Sequence, residues 1–242
     1  MYKNFVFDVY GTLVDIHTNE YDLSTWQKLV NTLSFYDVNY TAEELKETYF
    51  MSCDLQMRLG QKKFKHPEVD VVEISKHIFE NKGKKATKTL ATHLAQEFRA
   101  FSTERLRVYP DVTETLKQLK RAHKKLFILS NAQRCYTKPE LEKLGLLKYF
   151  SGVIYSSDYG CAKPDTKLFD IACEKFKINK QESIYIGNDP KTDVDGAKAS
   201  KMDCLWIKSN LTDYDAKPKF SPKYTVENGD FKEIARLLLK KQ

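Results

Sequence analysis

The sequence lacks the long apolar run of a membrane-spanning helix. No stretch of its 242 residues approaches the roughly 18 consecutive apolar residues that suggest a span. It also lacks the serial charged, apolar and cleavage regions of a secretory signal, since a short polar lead passes directly into an apolar segment. A cytoplasmic protein is expected. Its five cysteines (Cys53, Cys135, Cys161, Cys173 and Cys204) are odd in number and form no Cys-x-x-Cys pair, which speaks for reduced thiols rather than a disulfide scaffold. Its five histidines (His17, His66, His77, His93 and His123) show no metal-ligand spacing and read as structural or exposed, with His17 and His66 the ones to follow. There is no internal repeat and no low-complexity segment.

The net charge of +7 comes from lysines scattered among acids. Their densest cluster, Lys82, Lys84, Lys85 and Lys88, has no interleaved aromatics and reads as a solvated face. A basic rim that attracts an anionic substrate is the sharper alternative. No nucleic-acid-binding motif accompanies the charge, so neither nucleic acid nor membrane is expected as a partner.

What is present is an ordinary globular composition, 41% apolar and 30% charged. The segment from Lys3 to Asp8 is a short apolar run that ends in an acid and a Gly-containing loop, so it reads as a buried strand. From about Ser24 to Phe101 the apolar residues fall at helical spacing, as in Trp26, Leu29, Val30 and Leu33. After Pro110 the pattern alternates. Helices are predicted over Asp111 to Arg121, Pro139 to Leu144, Lys163 to Phe176, Thr192 to Ser200 and Phe231 to Leu239. Strands are predicted over Leu126 to Leu129, Gly152 to Ser156, Ser183 to Ile186, Cys204 to Ile207 and Tyr224 to Val226. Such alternation, with runs as continuously apolar as Leu126-Phe127-Ile128-Leu129, predicts an α/β fold with a doubly wound parallel sheet in a Rossmann-like core. Residues 1–15 and 106–242 are assigned to that core, and residues 16–105 to an inserted all-helical domain.

Polar residues stand directly after the apolar strands: Asp8, Ser130 with Asn131, and Asn188 with Asp189. Lys163 stands before a helix start. In doubly wound sheets, ligands bind beyond the carboxyl ends of the strands. Any one of these residues alone is explained by a turn or a cap. Together they would bring a nucleophile, a hydroxyl, a cation and carboxylates to one crevice.

Phe7-Asp8-Val9-Tyr10-Gly11-Thr12-Leu13-Val14-Asp15 resembles the first motif of the haloacid dehalogenase-like hydrolase superfamily. Leu129-Ser130-Asn131 resembles the second and Ala162-Lys163-Pro164-Asp165 the third. Ile186-Gly187-Asn188-Asp189, with Asp193 and Gly196-Ala197, resembles the fourth. The order is the family's, the set covers the core, and the helical insertion resembles the family's mobile cap.

The resemblance implies that Asp8 attacks the substrate and forms an aspartyl-phosphate or an alkyl ester. Gly11 and Thr12 would shape the loop around it, beside Tyr10. Ser130 would bond the transferred group, with backbone help from Asn131, and Lys163 would neutralise charge there. Asp8, the Tyr10 carbonyl, Asp189 and Asp193 would hold Mg²⁺. Asp189 and Asp193 as helix caps, and Asp15 as a turn or cap residue, are the plainer readings.

Two departures pull in different directions. Phosphatases of this family usually carry a second aspartate two residues after the nucleophile, and this chain has Tyr10 there. A tyrosine of pKa about 10 is a poor proton carrier near neutrality. Tyrosine at that position resembles the 2-haloacid dehalogenase branch, whose halide leaving group needs no proton. Against that branch, the fourth motif carries an extra residue and acid, the cap has no Trp-Arg pair, and Phe169 stands where a tyrosine is usual. Asn188 stands where one acid of the phosphatase pattern is often found.

The expected function is therefore Mg²⁺-dependent hydrolysis of a small phosphorylated metabolite, by a monomer or homodimer. A 2-haloacid dehalogenase and a weakly active ligand-binding protein are the alternatives. His66 or Glu68 in the cap is a candidate replacement for the missing acid.

Overall fold

A computed structural model describes residues 2–239. Six strands form one parallel sheet. β1 (Asn4–Phe7) lies inside it, between β4 (Lys125–Ser130) and β6 (Ser183–Gly187); β5 (Gly152–Tyr155) flanks β4, and β7 (Asp203–Ile207) and β8 (Tyr224–Val226) follow β6. The chain thus builds outward from β1 on one side, then crosses and builds outward on the other. The ends of β1, β4 and β6 meet where that direction reverses, which is where such sheets open a crevice.

Alternate strand residues feed two separate cores, as strand geometry requires. Phe5 and Phe7 of β1, with Ile128 and Ile186, pack against Leu116 and Leu119 of α5 (Val112–Arg121) and Ile234 of α9 (Phe231–Leu239). Val6, Phe127 and Tyr185 face the other way, against Leu168 and Phe169 of α7 (Thr166–Phe176) and Ala197 of α8 (Gly196–Ala199). The doubly wound α/β core is as the sequence predicts.

The inserted segment forms α1 (Leu23–Ser34), α2 (Ala42–Gly60), α3 (Val71–Glu80) and α4 (Lys88–Ser102). These helices share their own core around Trp26, Leu33, Ile74, Phe79 and Phe98. Asp22, Thr41, Asp70 and Thr87 cap their N-termini through side-chain oxygens.

Two strands were not expected. β2 (Val14–Thr18) and β3 (Thr103–Val108) form an antiparallel ribbon that carries the chain into and out of the cap. Each alternates polar with apolar residues too briefly to stand out as a strand. The ribbon also changes the reading of Asp15, which is neither a turn nor a cap residue. Its carboxylate is buried in β2 and accepts hydrogen bonds from Arg105, Arg107 and Asn210 at 2.9–3.1 Å.

A third difference concerns the helix predicted to start at Pro139. Instead α6 (Arg134–Lys143) runs through it. Proline cannot donate to the carbonyl four residues back. That carbonyl, of Cys135, accepts a hydrogen bond from Gln96 of α4 at 3.0 Å, so the helix continues.

Burial works to raise the Asp15 carboxyl, and its hydrogen bonds outweigh that and hold it below its ordinary value. Its contribution to stability is therefore present near neutral pH and is lost as pH falls through the carboxylate range below about 4. We expect Asp15→Ala to lower the unfolding free energy at pH 7 by about 2 kcal/mol in urea titrations, with a smaller deficit at pH about 3.

Candidate active site

Asp8 follows β1 and is largely buried. Its Oδ1 accepts a hydrogen bond from Lys163 Nζ at 2.9 Å. The same ammonium donates to Asp193 Oδ1 at 2.6 Å and to the Tyr185 hydroxyl at 2.7 Å. All three of its N–H groups are thereby used. Tyr185 lies within hydrogen-bonding distance of the Leu129 carbonyl and Asp193 Oδ1, so β4 and β6 both support the cluster.

Burial opposes the charge on Lys163, but Asp193 and Asp8 outweigh it and hold the ammonium above its ordinary value. Burial raises the Asp193 carboxyl, Lys163 pulls it down, and Asp8 adds to the rise, leaving it at about 6. One cation between two carboxylates leaves the centre net negative when both are ionised.

Local sequence fixes these positions. The Asn131 side chain clamps the Lys163 backbone: its Nδ2 donates to the Lys163 carbonyl at 3.0 Å, and its Oδ1 accepts from the Lys163 N–H at 2.7 Å. Asn131, expected to help bind substrate through its backbone, thus holds the lysine. Gly187 ends β6 without a side chain, where a Cβ would come within 2.3 Å of the Asp193 carboxyl carbon. Gly11 has a φ of +77°, and a Cβ there would meet the Asn188 amide at 2.3 Å. Ser130 is buried at the end of β4, beside β1.

Of the acids predicted to bind metal, Asp193 joins the Lys163 cluster, and its Oδ2 accepts from the Asp189 N–H at 2.9 Å. Asp189 faces other work. Its Oδ1 caps the turn Pro190–Asp195, accepting from the Lys191 and Thr192 N–H groups at 2.8 and 2.7 Å. That cap, with Pro190 in the first turn, starts the helical segment two residues before the predicted Thr192. Asn188 instead packs against the loop after Asp8, where Thr12 Oγ1 donates to its Oδ1 at 3.2 Å. Among the described residues, no group of three or more His, Cys, Asp or Glu side chains is arranged to hold a metal ion. The oxygen donors nearest the loop, the Asp8 carboxylate and the Asn188 amide, are of the hard type that suits Mg²⁺, with one negative charge fewer than an Asp at 188 would give.

Tyr10 turns to α6. Its hydroxyl bonds Glu140 and Thr137, and the Arg99 guanidinium lies over its ring at 5.2 Å. Burial raises its hydroxyl far above the ordinary value, so it stays protonated at neutral pH and neither accepts nor readily gives up a proton.

The cap loop between α2 and α3 docks on the stretch just before Lys163. Ala162 donates to the His66 carbonyl at 2.8 Å and Glu68 N–H to the Gly160 carbonyl at 3.0 Å. The Glu68 carboxylate accepts from Ser156 Oγ at 2.5 Å, and burial raises it. Ser156 in turn accepts from the Ala132 N–H at 2.8 Å, next to Asn131. His66 contributes its carbonyl here, while its side chain lines a groove with Pro164 and Lys191.

The comparisons with known proteins agree with this fold and its helical insertion. A family model for haloacid dehalogenase-like hydrolases matches residues 2–201, and the chain belongs to that family. It is a hydrolase.

Pyrophosphatase PpaX of Oceanobacillus iheyensis is 25% identical over 98% of this chain and 96% of its own length. Phosphoserine phosphatase of Thermus thermophilus is 32% identical, but the match covers 56% of this chain and 53% of that protein. The chain therefore spans about half the length of that relative. Among solved structures, L-2-haloacid dehalogenase of Xanthobacter autotrophicus with chloropropionic acid covalently bound superposes with a TM-score of 0.61 at 17% identity, with full coverage of both chains. A phosphatase of the same family from Thermococcus onnurineus gives 0.61 at 23% identity, covering 98% and 97%. At these identities the structures establish the shared fold. Among the described residues, no helix is long and apolar enough to cross a membrane.

Removing the buried cation leaves two carboxylates without their counter-charge. We expect Lys163→Met to cost about 3–5 kcal/mol at pH 7.5 in denaturant titrations. The sign with pH follows from Asp193: Lys163 is what pulls its raised carboxyl down, so without the lysine that carboxyl titrates higher still, and the penalty is greatest at alkaline pH and shrinks as pH falls and the carboxyl is protonated.

Proposed function

We propose that this protein is a phosphatase-like hydrolase that acts on a small phosphorylated molecule through an aspartyl-phosphate at Asp8. The observation that carries the reading is the shared ammonium of Lys163, held between Asp8 and Asp193. One Asp8 oxygen is fixed by that contact, and the other is the attacking atom. The attack transfers the phosphoryl group to Asp8, and water then releases phosphate and restores the carboxylate. Lys163 and Ser130 offset charge on the phosphoryl oxygens. Asn131 keeps Lys163 in place. Full-length similarity to a pyrophosphatase supports phosphoryl chemistry over other reactions of the fold.

Mg²⁺ would be held by the Asp8 carboxylate, the Tyr10 carbonyl and the Asn188 amide oxygen, with Asp193 and Asp189 in support. When bound, it neutralises the phosphoryl group and its attacking carboxylate. Tyr10 supplies no proton. Glu68, buried by the docked cap loop with its carboxyl raised, is the proposed acid for the leaving group. A substrate with a good leaving group, such as an acyl phosphate, would relieve that need.

A phosphate-ester and acyl-phosphate panel, assayed with and without Mg²⁺, tests the reading. Metal-dependent phosphate release is expected for the wild type, with none from Asp8→Asn. Full activity in Asp8→Asn would sink the proposal.

Asn188→Asp restores one charge beside the nucleophile loop. We expect it to tighten Mg²⁺ binding by at least about tenfold in calorimetric titrations, which corresponds to about 1.4 kcal/mol. Unchanged affinity would remove position 188 from the metal site.

A second reading, 2-haloacid dehalogenase, is favoured by one observation: Tyr10 replaces the proton-carrying aspartate and is engaged elsewhere. It predicts chloride release from 2-chloropropionate in the presence of EDTA.

A further inference from the structure

A groove of about 700 Å³ opens where the cap loop between α2 and α3 meets the core. Its lining comes from three parts of the chain: Lys65 and His66 of that loop, the segments around Pro164 and Lys191, and Lys217, Lys219 and Phe220 of the stretch between β7 and β8. None of the residues given a role in the proposed reaction lines it, so it is a site separate from the crevice.

The groove is cationic. Lys65, Lys191, Lys217 and Lys219 are all exposed, and the ammonium of none has an ion-pair, hydrogen-bond or ring partner among the described residues. Two acids share the lining, Asp165 and Asp195, and both are engaged by backbone. Asp165 Oδ1 caps α7, accepting from the Lys167 N–H at 3.0 Å. Asp195 is buried, and its Oδ1 accepts from the N–H groups of Lys219 and Phe220 at 2.7 and 3.1 Å. That contact fixes the segment that presents the lysines, and Pro218 stiffens it between them. Asp213 and Asp215 precede this segment outside the lining, and Asp213 accepts from the Asp215 and Ala216 N–H groups at 3.1 Å. The four lysines therefore outnumber the acids that face the groove.

Between the cations the lining is apolar. It includes Pro164, Ala199 and the ring of Phe220, which is 46% exposed and has no ring or cation against it among the described residues. Lysine stems add to that surface. An inorganic anion would leave the apolar part wet, and an apolar molecule would leave four ammonium groups unused. An anion that carries a flat apolar body satisfies both. The volume lies within the roughly 300–1,000 Å³ of small-molecule sites. Bases stack on aromatic faces, and lysines pair with phosphates. We propose that this groove binds a nucleoside di- or triphosphate, with its base on Phe220 and its phosphates among Lys65, Lys191, Lys217 and Lys219. Lys65 belongs to the cap loop and the other three to the core, so the bound phosphates tie one to the other.

Calorimetric titration of the full chain with β,γ-imido-ATP, in EDTA and about 0.1 M salt, tests it without turnover. Saturable binding is expected below about 1 mM. Lys217→Glu, Lys219→Glu and Lys65→Glu each weaken it by about tenfold or more. Phe220→Ala weakens it by about fivefold or more, yet leaves tripolyphosphate binding unchanged to within about twofold. Tripolyphosphate and adenosine each bind at least about tenfold more weakly than the nucleotide, because each satisfies only half of the lining. These side chains are exposed, so circular dichroism is expected to be unchanged in every variant. Absence of binding up to about 1 mM overturns the proposal. So does binding indifferent to the lysine and Phe220 variants, which is what a nucleotide lodged in the crevice would give, and so does tripolyphosphate binding as tightly as the nucleotide.

Discussion

A buried ammonium shared by two carboxylates organises the centre of this protein. Lys163 uses its three N–H groups on Asp8, which follows β1, on Tyr185 of β6, and on Asp193 in the helical turn after β6. A charge taken out of water is costly unless paired and fully hydrogen-bonded. The surrounding chain meets that condition from several directions. Asn131 holds the lysine backbone, Gly187 leaves room for Asp193, and the Asp189 N–H takes the remaining Asp193 oxygen. The sheet order brings these pieces together, because the ends of β1, β4 and β6 are neighbours only in a doubly wound arrangement.

Around that fixed centre, two positions usually given to acids in the family's phosphatases are occupied otherwise. Tyr10 is drawn into a buried contact with Glu140, Thr137 and Arg99 that joins the loop after Asp8 to α6 and the cap helix α4. Asn188 packs its amide against Gly11 and Thr12. Both changes lower the negative charge and the proton-transfer capacity beside Asp8. In the proposed reaction Glu68, buried against the loop that follows β4, is the group that would compensate. Loss of one acid–base group typically costs about 10²–10⁴-fold, so slow turnover or an activated substrate is consistent with this arrangement.

Much of this was legible in the sequence. Continuous apolar runs such as Leu126-Phe127-Ile128-Leu129 marked strands buried on both faces, and the polar residues after them marked the crevice. What escaped were features set by distant partners. Asp15 reads as a turn residue until Arg105 and Arg107, some ninety positions away, face it across the ribbon. Pro139 reads as a helix start until Gln96 of another helix takes up the freed carbonyl. Asp189 and Asn188 are adjacent, and spacing alone does not tell which faces the nucleophile loop; the cap bonds to Lys191 and Thr192 decide it. The direction of Tyr10 likewise depends on α6, which no local pattern links to the first motif.

The role of Asp8 is most directly tested by chemical trapping during turnover. Borohydride reduces an aspartyl-phosphate to homoserine, and peptide mass spectrometry locates the change. With a turned-over substrate present, homoserine is expected at position 8 alone, and its yield falls to nothing without substrate. Turnover with no reduction at position 8, or with reduction at another carboxylate, would contradict a covalent role for Asp8.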